Sequence, residues 1–263
     1  MKLKLFWTHL FVFALCFSSA FAQSAKKIES YNVGETLVYE AKFSKVVLRG
    51  IPVANLSFSV ERAPNSQDFL IKAEAKSKGT VPKLFNYKFY QSIQSTVDSR
   101  KFSVLKTVKR DEQKERIRDS AAVFNYKNRE VTYIESDPND TARPPRVVAS
   151  SIGIDTQDLV SGIYTLRRLP LAVGKTFDLS ISDSGFVYKI PVRVTAREEQ
   201  KSILGRTWCF RVEPEVFGDK RFIEQKGSMI IWISDDSRRV PVRAQVNSNL
   251  GRVEVRLKKI EDK

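Results

Sequence analysis

The sequence predicts a mainly β protein: a large curved antiparallel sheet or half-barrel of short meander-connected strands, with one amphipathic helix against it. Three observations carry this. The stretch 227–257 reads as three short strands joined by two tight turns. Segments of alternating polarity recur every ten to fifteen residues over 36–136, separated by polar turns, which is the spacing of an antiparallel meander rather than of βαβ units. Only the segment 155–169 carries helical spacing.

The meander 227–257 sets the pattern. Its first run, Ser228 to Ser234, is apolar and rich in β-formers, and Asp235-Asp236-Ser237-Arg238 breaks it. Val242, Ala244 and Val246 then alternate with Pro241, Arg243 and Gln245. Asn247 to Gly251 turns the chain, and Val253, Val255 and Leu257 alternate with Arg252, Glu254, Arg256 and Lys258. Side chains alternate across a strand, so one face goes to a core and the other is wet and basic.

Earlier strands are expected at 36–43, 53–60, 69–75, 87–98, 102–110, 116–126 and 130–136. In 87–98 the inner face is Tyr87, Phe89, Ile93 and Val97. The stretch 137–153, with three prolines, has little pattern and is expected to be a connecting loop or lid. A helix follows, with Asp155 as its cap and Asp158 three residues on, near the positive end of the dipole. Leu159, Ile163, Leu166 and Leu169 follow its period, Arg167 and Arg168 close its last turn, and Pro170 stops it. Such a helix plugs or covers one face of the sheet. Strands resume at 177–182, at 187–196 with Ile190, Val192, Val194 and Ala196 inward, and at 202–212 around the turn Leu204-Gly205-Arg206.

The chain of 263 residues has 45 Lys and Arg against 30 Asp and Glu, a formal charge of +15 that attracts polyanions. Residues 1–22 read as a cleaved signal peptide. Met1 to Lys4 is basic, 5–17 is apolar but too short for a membrane span, and Ala20-Phe21-Ala22 fits a processing site. Leu15 before Cys16 argues against lipidation. Cleavage would remove the lone His9, Lys2 and Lys4, taking the charge to +13, and would leave Cys209 alone. Catalysis through imidazole and an intramolecular disulfide are thereby excluded from the mature chain. Cys209, between Trp208 and Phe210, is expected to pack as a small hydrophobe. The expected organisation is a leader at 23–30 and one β-rich domain at 31–263, its halves 31–136 and 154–263 joined by the loop 137–153.

Three segments, GETLVYE (34–40), DLVSGIYTLRRLPLAVGKTF (158–177) and WISDDSRRVPVRAQVNSNLGRVEVRL (232–257), together resemble the bacterial exported family called domain of unknown function 3108. The resemblance implies a location in the envelope or periplasm of a Gram-negative bacterium and a curved antiparallel sheet. It implies no activity, cofactor or catalytic residue.

Two constellations invite chemistry. Asp235 and Asp236 are paired carboxylates, but turn formation with Arg238 and Arg239 as partners accounts for both. Arg167-Arg168 and Arg238-Arg239 would either grip an anionic head group or pair internally with Asp155, Asp158, Asp235 or Asp236. The basic polar face of the strands adds Arg193, Arg197, Arg211, Arg243, Arg252, Arg256 and Lys258. No metal site, cofactor fingerprint or catalytic set is expected.

The leading expectation is a non-enzymatic periplasmic protein binding an anionic or lipidic envelope component, with Arg167, Arg168, Arg238, Arg239, Arg243, Arg252 and Arg256 as binding residues. Anionic lipid, lipopolysaccharide and peptidoglycan are the partners in reach, and nucleic acid is not. An assembly factor docking on an envelope protein or the cell wall is the alternative. A carboxylate-based glycan hydrolase is the third.

Overall fold

The computed structural model describes residues 31–46, 48–79 and 88–262. The expected signal peptide and leader, Tyr87 and most of the loop before it lie outside the described residues.

Among the described residues, fifteen strands form one sheet. The first eight are β1 (Glu35–Lys45), β2 (Leu48–Arg62), β3 (Phe69–Ser77), β4 (Phe89–Val97), β5 (Val104–Gln113), β6 (Arg116–Asn125), β7 (Glu130–Ser136) and β8 (Arg146–Ser151). A two-residue strand, β9 (Gln157–Asp158), leads into helix α1 (Leu159–Arg168). Then come β10 (Thr176–Asp183), β11 (Phe186–Ser202), β12 (Gly205–Pro214), β13 (Gly227–Ser234), β14 (Pro241–Ser248) and β15 (Gly251–Asp262). The expected meander is β13–β15.

The spatial order is β8-β7-β6-β5-β4-β3-β2-β1-β15-β14-β13-β12-β11-β10-β9. Every neighbour is antiparallel except β9, which runs parallel to β10. The chain thus meanders from the centre to one edge, starts again at the other edge and returns, so that its first and last strands pair from Glu35 with Asp262 to Ser44 with Arg252. This order dictates curvature. Fifteen flat strands would hold their edges about 67 Å apart at roughly 4.8 Å per strand. Only residues 152–156 join β8 to β9, and a link that short reaches roughly 20 Å. The sheet must curl until its ends nearly meet.

They do meet, though not as a hydrogen-bonded ladder. The Ser150 hydroxyl donates to the Gly185 carbonyl at 2.6 Å, and the Arg146 guanidinium lies 5.8 Å from the Phe186 ring centre. Gly185, at φ 84°, sits so close that an added Cβ would lie 2.6 Å from Val148 Cβ. A side chain there would push the edges apart.

Two expectations need correction. The segment 137–153 is not a loop throughout: Val147, Val148 and Ala149 belong to β8, paired with β7 from Glu135–Arg146 to Glu130–Ser151. Its β-branched pair supplies the strand preference, and the prolines lie just before it. The helix cap is Asp158, not Asp155. The Asp158 carboxylate accepts from the backbone of Val160 and Ser161, and the Ser161 hydroxyl accepts from the Asp158 amide, a reciprocal capping box. Asp158 also receives the hydroxyls of Ser95 and Thr107, which ties the helix start to β4 and β5.

Helix α1 lies in the hollow of the curled sheet, against β3, β4, β9 and β10. It is buried on a wider arc than the expected leucine stripe, since Val160, Tyr164 and Arg167 are also inside. Gly162 allows the close approach to β10, because a Cβ there would lie 2.7 Å from Ile181 Cδ1. Val60, Ile71, Val97, Val104 and Val131 pack with Val160 and Tyr164 on one side. Val192, Val194, Val212 and Ile233 pack with Leu166 on the other. The parity read for β14 holds at Val242, which is buried, against Arg243, which is half-buried and paired with Glu254 at 2.5 Å. It does not hold at Pro241: a bulge between Trp232 and Ile233 leaves that proline buried opposite Ile233 instead of on the wet face.

Candidate functional site: an apolar cavity beside the helix

A cavity of about 220 Å³ lies between helix α1 and the centre of the sheet. Strand pairing builds it. Leu37 and Tyr39 of β1 stand opposite Phe58 and Leu56 of β2. Ile231 of β13, Ala244 of β14 and Val255 of β15 form one row across three strands. Ile163 and Tyr164 of the helix face these strands across the space. Met229 and Pro241 add to a lining that is mainly apolar, with Arg167 and Arg243 as its charged members. The volume exceeds the roughly 150 Å³ that takes a benzene, and it falls below the 300–1,000 Å³ or so of sites for drug-sized molecules.

The polar groups at this cavity are few and inside the protein. Tyr164 is buried, and among the described residues its hydroxyl has no hydrogen-bond partner. Burial holds its phenol well above the ordinary value, so it stays protonated as a donor. The Tyr39 hydroxyl donates to the Pro241 carbonyl at 2.9 Å, and burial raises its pKa in the same way. Arg167 forms a two-point ion pair with Glu35 at 2.6 and 3.1 Å, both side chains being fully buried. Arg167 also donates to the Arg238 carbonyl at 3.0 Å, and the Arg238 guanidinium lies 3.6 Å from Glu35.

The arginines singled out from the sequence do not converge on one surface. Arg167 and Arg238 do come together, but on Glu35, which the sequence did not single out. Arg168 lies over the Phe102 ring at 4.1 Å. Arg239 pairs with Asp235 at 3.1 Å and covers Phe210. Arg243 and Arg256 share Glu254, with Arg243 also stacked 4.4 Å over Trp232. On the same polar parity Arg193 pairs with Glu215, Arg197 with Asp235, Arg211 with Glu213 and Lys258 with Glu40. Arg252 is exposed at the start of β15. The wet basic face is therefore largely a lattice of ion pairs.

The aspartates at the β13–β14 turn are occupied structurally. Asp236 accepts from the Ser234 hydroxyl and from the Arg238 and Arg239 amides, while Asp235 holds Arg197 and Arg239. Cys209 is buried, and burial pushes its thiol up to about 12, with the negative charges of Asp236, Asp235 and Glu198 adding to the effect. An inert, packed thiol follows.

The family comparison matches residues 38–258 to the family described as Protein of unknown function (DUF3108), and the chain belongs to that family. No curated protein matches the sequence. Among solved structures, the chain is similar to a beta-barrel-like protein of domain of unknown function DUF1849 from Brucella abortus. That likeness has a TM-score of 0.58 and 9% identity over 88% of this chain and 98% of the other. A candidate exported protein with a YmcC-like fold from Bacteroides fragilis aligns with a TM-score of 0.34 and 11% identity, over 88% of this chain and 97% of that one. The hypothetical protein CT021 from Chlamydia trachomatis gives 0.33 and 8%, over 88% of both. The first of these shows a shared curled-sheet fold. Among the described residues no helix is long and apolar enough to cross a membrane.

Proposed function

We propose that this member of the DUF3108 family is a non-enzymatic binding protein of the bacterial periplasm, which holds the apolar chain of an envelope amphiphile beside helix α1. The observation that supports the reading is the apolar cavity between Ile163, Tyr164 and the row Ile231–Ala244–Val255. Folding alone favours filling such a space, because an empty cavity forfeits packing contacts on every wall. A single chain fits it better than a two-chain lipid. At about 0.8 kcal/mol per buried methylene, about six methylenes would contribute roughly 5 kcal/mol before the costs of binding. The buried Tyr164 hydroxyl offers one hydrogen bond to a polar group on the chain.

Titration with a single-chain fluorescent fatty acid tests this reading. Ala244→Phe projects a ring into the cavity from the middle of its three-strand row. The protein should bind the probe, and Ala244→Phe should bind it at least tenfold more weakly while melting cooperatively. Equal binding by both proteins, or no binding by either, would overturn the assignment.

A further inference from the structure

We infer that one rim of the curled sheet, formed by the β1–β2 and β14–β15 turns, docks on an anionic lipid bilayer surface. An antiparallel meander sends alternate turns to opposite rims. Since β1 pairs with β15, with Ser44 opposite Arg252, these two turns are neighbours in space. A Cβ added at Gly251, the first residue of β15, would lie 2.7 Å from the ring of Phe43 in β1.

Both turn tips carry apolar side chains that the fold does not use. Val46 is 82% exposed, Leu250 65% and Leu48 40%. Tight turns favour Gly, Asn, Asp and Ser. Val46 moreover holds φ at 45°, a left-handed conformation that a β-branched residue adopts only at a cost. Neither packing nor turn chemistry accounts for a valine there, and contact with an apolar phase would.

Cations surround these tips. Lys45 and Arg49 flank the first and Arg252 follows the second, all exposed, and among the described residues none of them belongs to an ion pair. This contrasts with the neutralised arginines of the strand faces. The basic character continues along the same rim, where Lys76, Lys78, Lys88 and Lys114 outnumber Glu112 in lining a cleft of about 460 Å³ between the ends of β3, β4 and β5. Apolar tips among unpaired cations suit the boundary of an anionic leaflet, where side chains such as Val and Leu enter the acyl region and Lys and Arg meet the phosphates. This inference is independent of the cavity reading, because Ala244→Phe leaves the rim intact.

Cosedimentation with vesicles of phosphatidylglycerol and phosphatidylethanolamine, against phosphatidylcholine alone, tests it. Binding should require the anionic lipid and weaken as salt rises from 0.01 to 0.15 M and the screening length falls from about 30 to about 8 Å. The triple variant Lys45→Gln, Arg49→Gln, Arg252→Gln should lose on the order of 100-fold, at about fivefold per cation. Val46→Ser with Leu250→Ser should lose on the order of tenfold. A control triple of equal charge change on the opposite rim, Lys101→Gln, Lys201→Gln, Arg206→Gln, should lose far less. All of these sites are at the surface, so melting temperatures should hold. Equal losses in the two triples would overturn the inference, since net charge rather than the rim would then govern binding. No binding of the parent protein at 0.01 M salt would overturn it too. So would self-association without lipid that Val46→Ser and Leu250→Ser abolish, which would make a second copy the occupant.

Discussion

Glu35, at the start of the first strand, and Arg167, in the last turn of the only helix among the described residues, form a buried two-point ion pair across 132 residues of sequence. Both side chains have no exposure to solvent. Charges taken from water are held only where geometry and further hydrogen bonds compensate, and here the Arg238 carbonyl supplies one such bond. The pair fixes the helix end to the centre of the sheet, beside the cavity that Tyr39 and Tyr164 line.

Removing one partner should leave an uncompensated charge in the core. Glu35→Gln or Arg167→Met alone should cost about 3–5 kcal/mol in denaturant unfolding. The double variant Glu35→Leu, Arg167→Met should cost clearly less than the sum of the two single changes. Additive losses would mean that the two groups act separately.

The inner and outer parities of the central meander predict opposite tolerances. Val242 is 1% exposed, so Val242→Asp buries a carboxylate and should cost several kcal/mol. Arg243→Gln gives up a pair with Glu254 in which each side chain is 24% exposed, but Arg256 still holds Glu254, so it should cost about 1 kcal/mol. Thermal melts of the two variants check this, and a reversed order would place the register one residue off.

Acid should weaken the fold through two carboxylates on the outer face. Burial pushes Glu40 up, but the Lys78 hydrogen bond and the charges of Lys258 and Lys42 outweigh it and hold the group below its ordinary value. At Glu254 burial likewise pushes the group up, and the hydrogen bond from Arg256 with the charges of Arg243 and Arg256 outweighs it. A carboxyl depressed in the folded state contributes stability that is complete above its unfolded pKa and is lost as pH falls through its folded value. The loss should therefore begin near pH 4.5, the ordinary value, and deepen below it. Glu40→Gln with Glu254→Gln should flatten that slope in melts between pH 6 and pH 3, both of about that range. An unchanged slope would mean that other groups control acid unfolding.

The strands were legible because alternation is a local signal. Glu130 to Ser136 coincides with β7, and the meander with β13–β15. The strand β8 was hidden because it follows Pro144 and Pro145 at once and is an edge strand, where apolar and polar residues mix on an exposed surface. The cap was misplaced because two aspartates stand three apart and only Ser161, three residues after Asp158, marks which of them closes a capping box. Glu35 and the cavity were not legible at all. Both arise from the pairing of the first strand with the last, a contact that no local period encodes. Leu250 stood in plain view inside a predicted turn, but its meaning depends on Val46 lying beside it in space.

Native mass spectrometry of the protein purified from the envelope of its own cell addresses the cavity most directly. The account predicts a fraction carrying a single-chain amphiphile, released on collisional activation and lost in Ala244→Phe. Parent protein found only at its own mass, under conditions that keep a bound fatty acid in place when one is added, would contradict it.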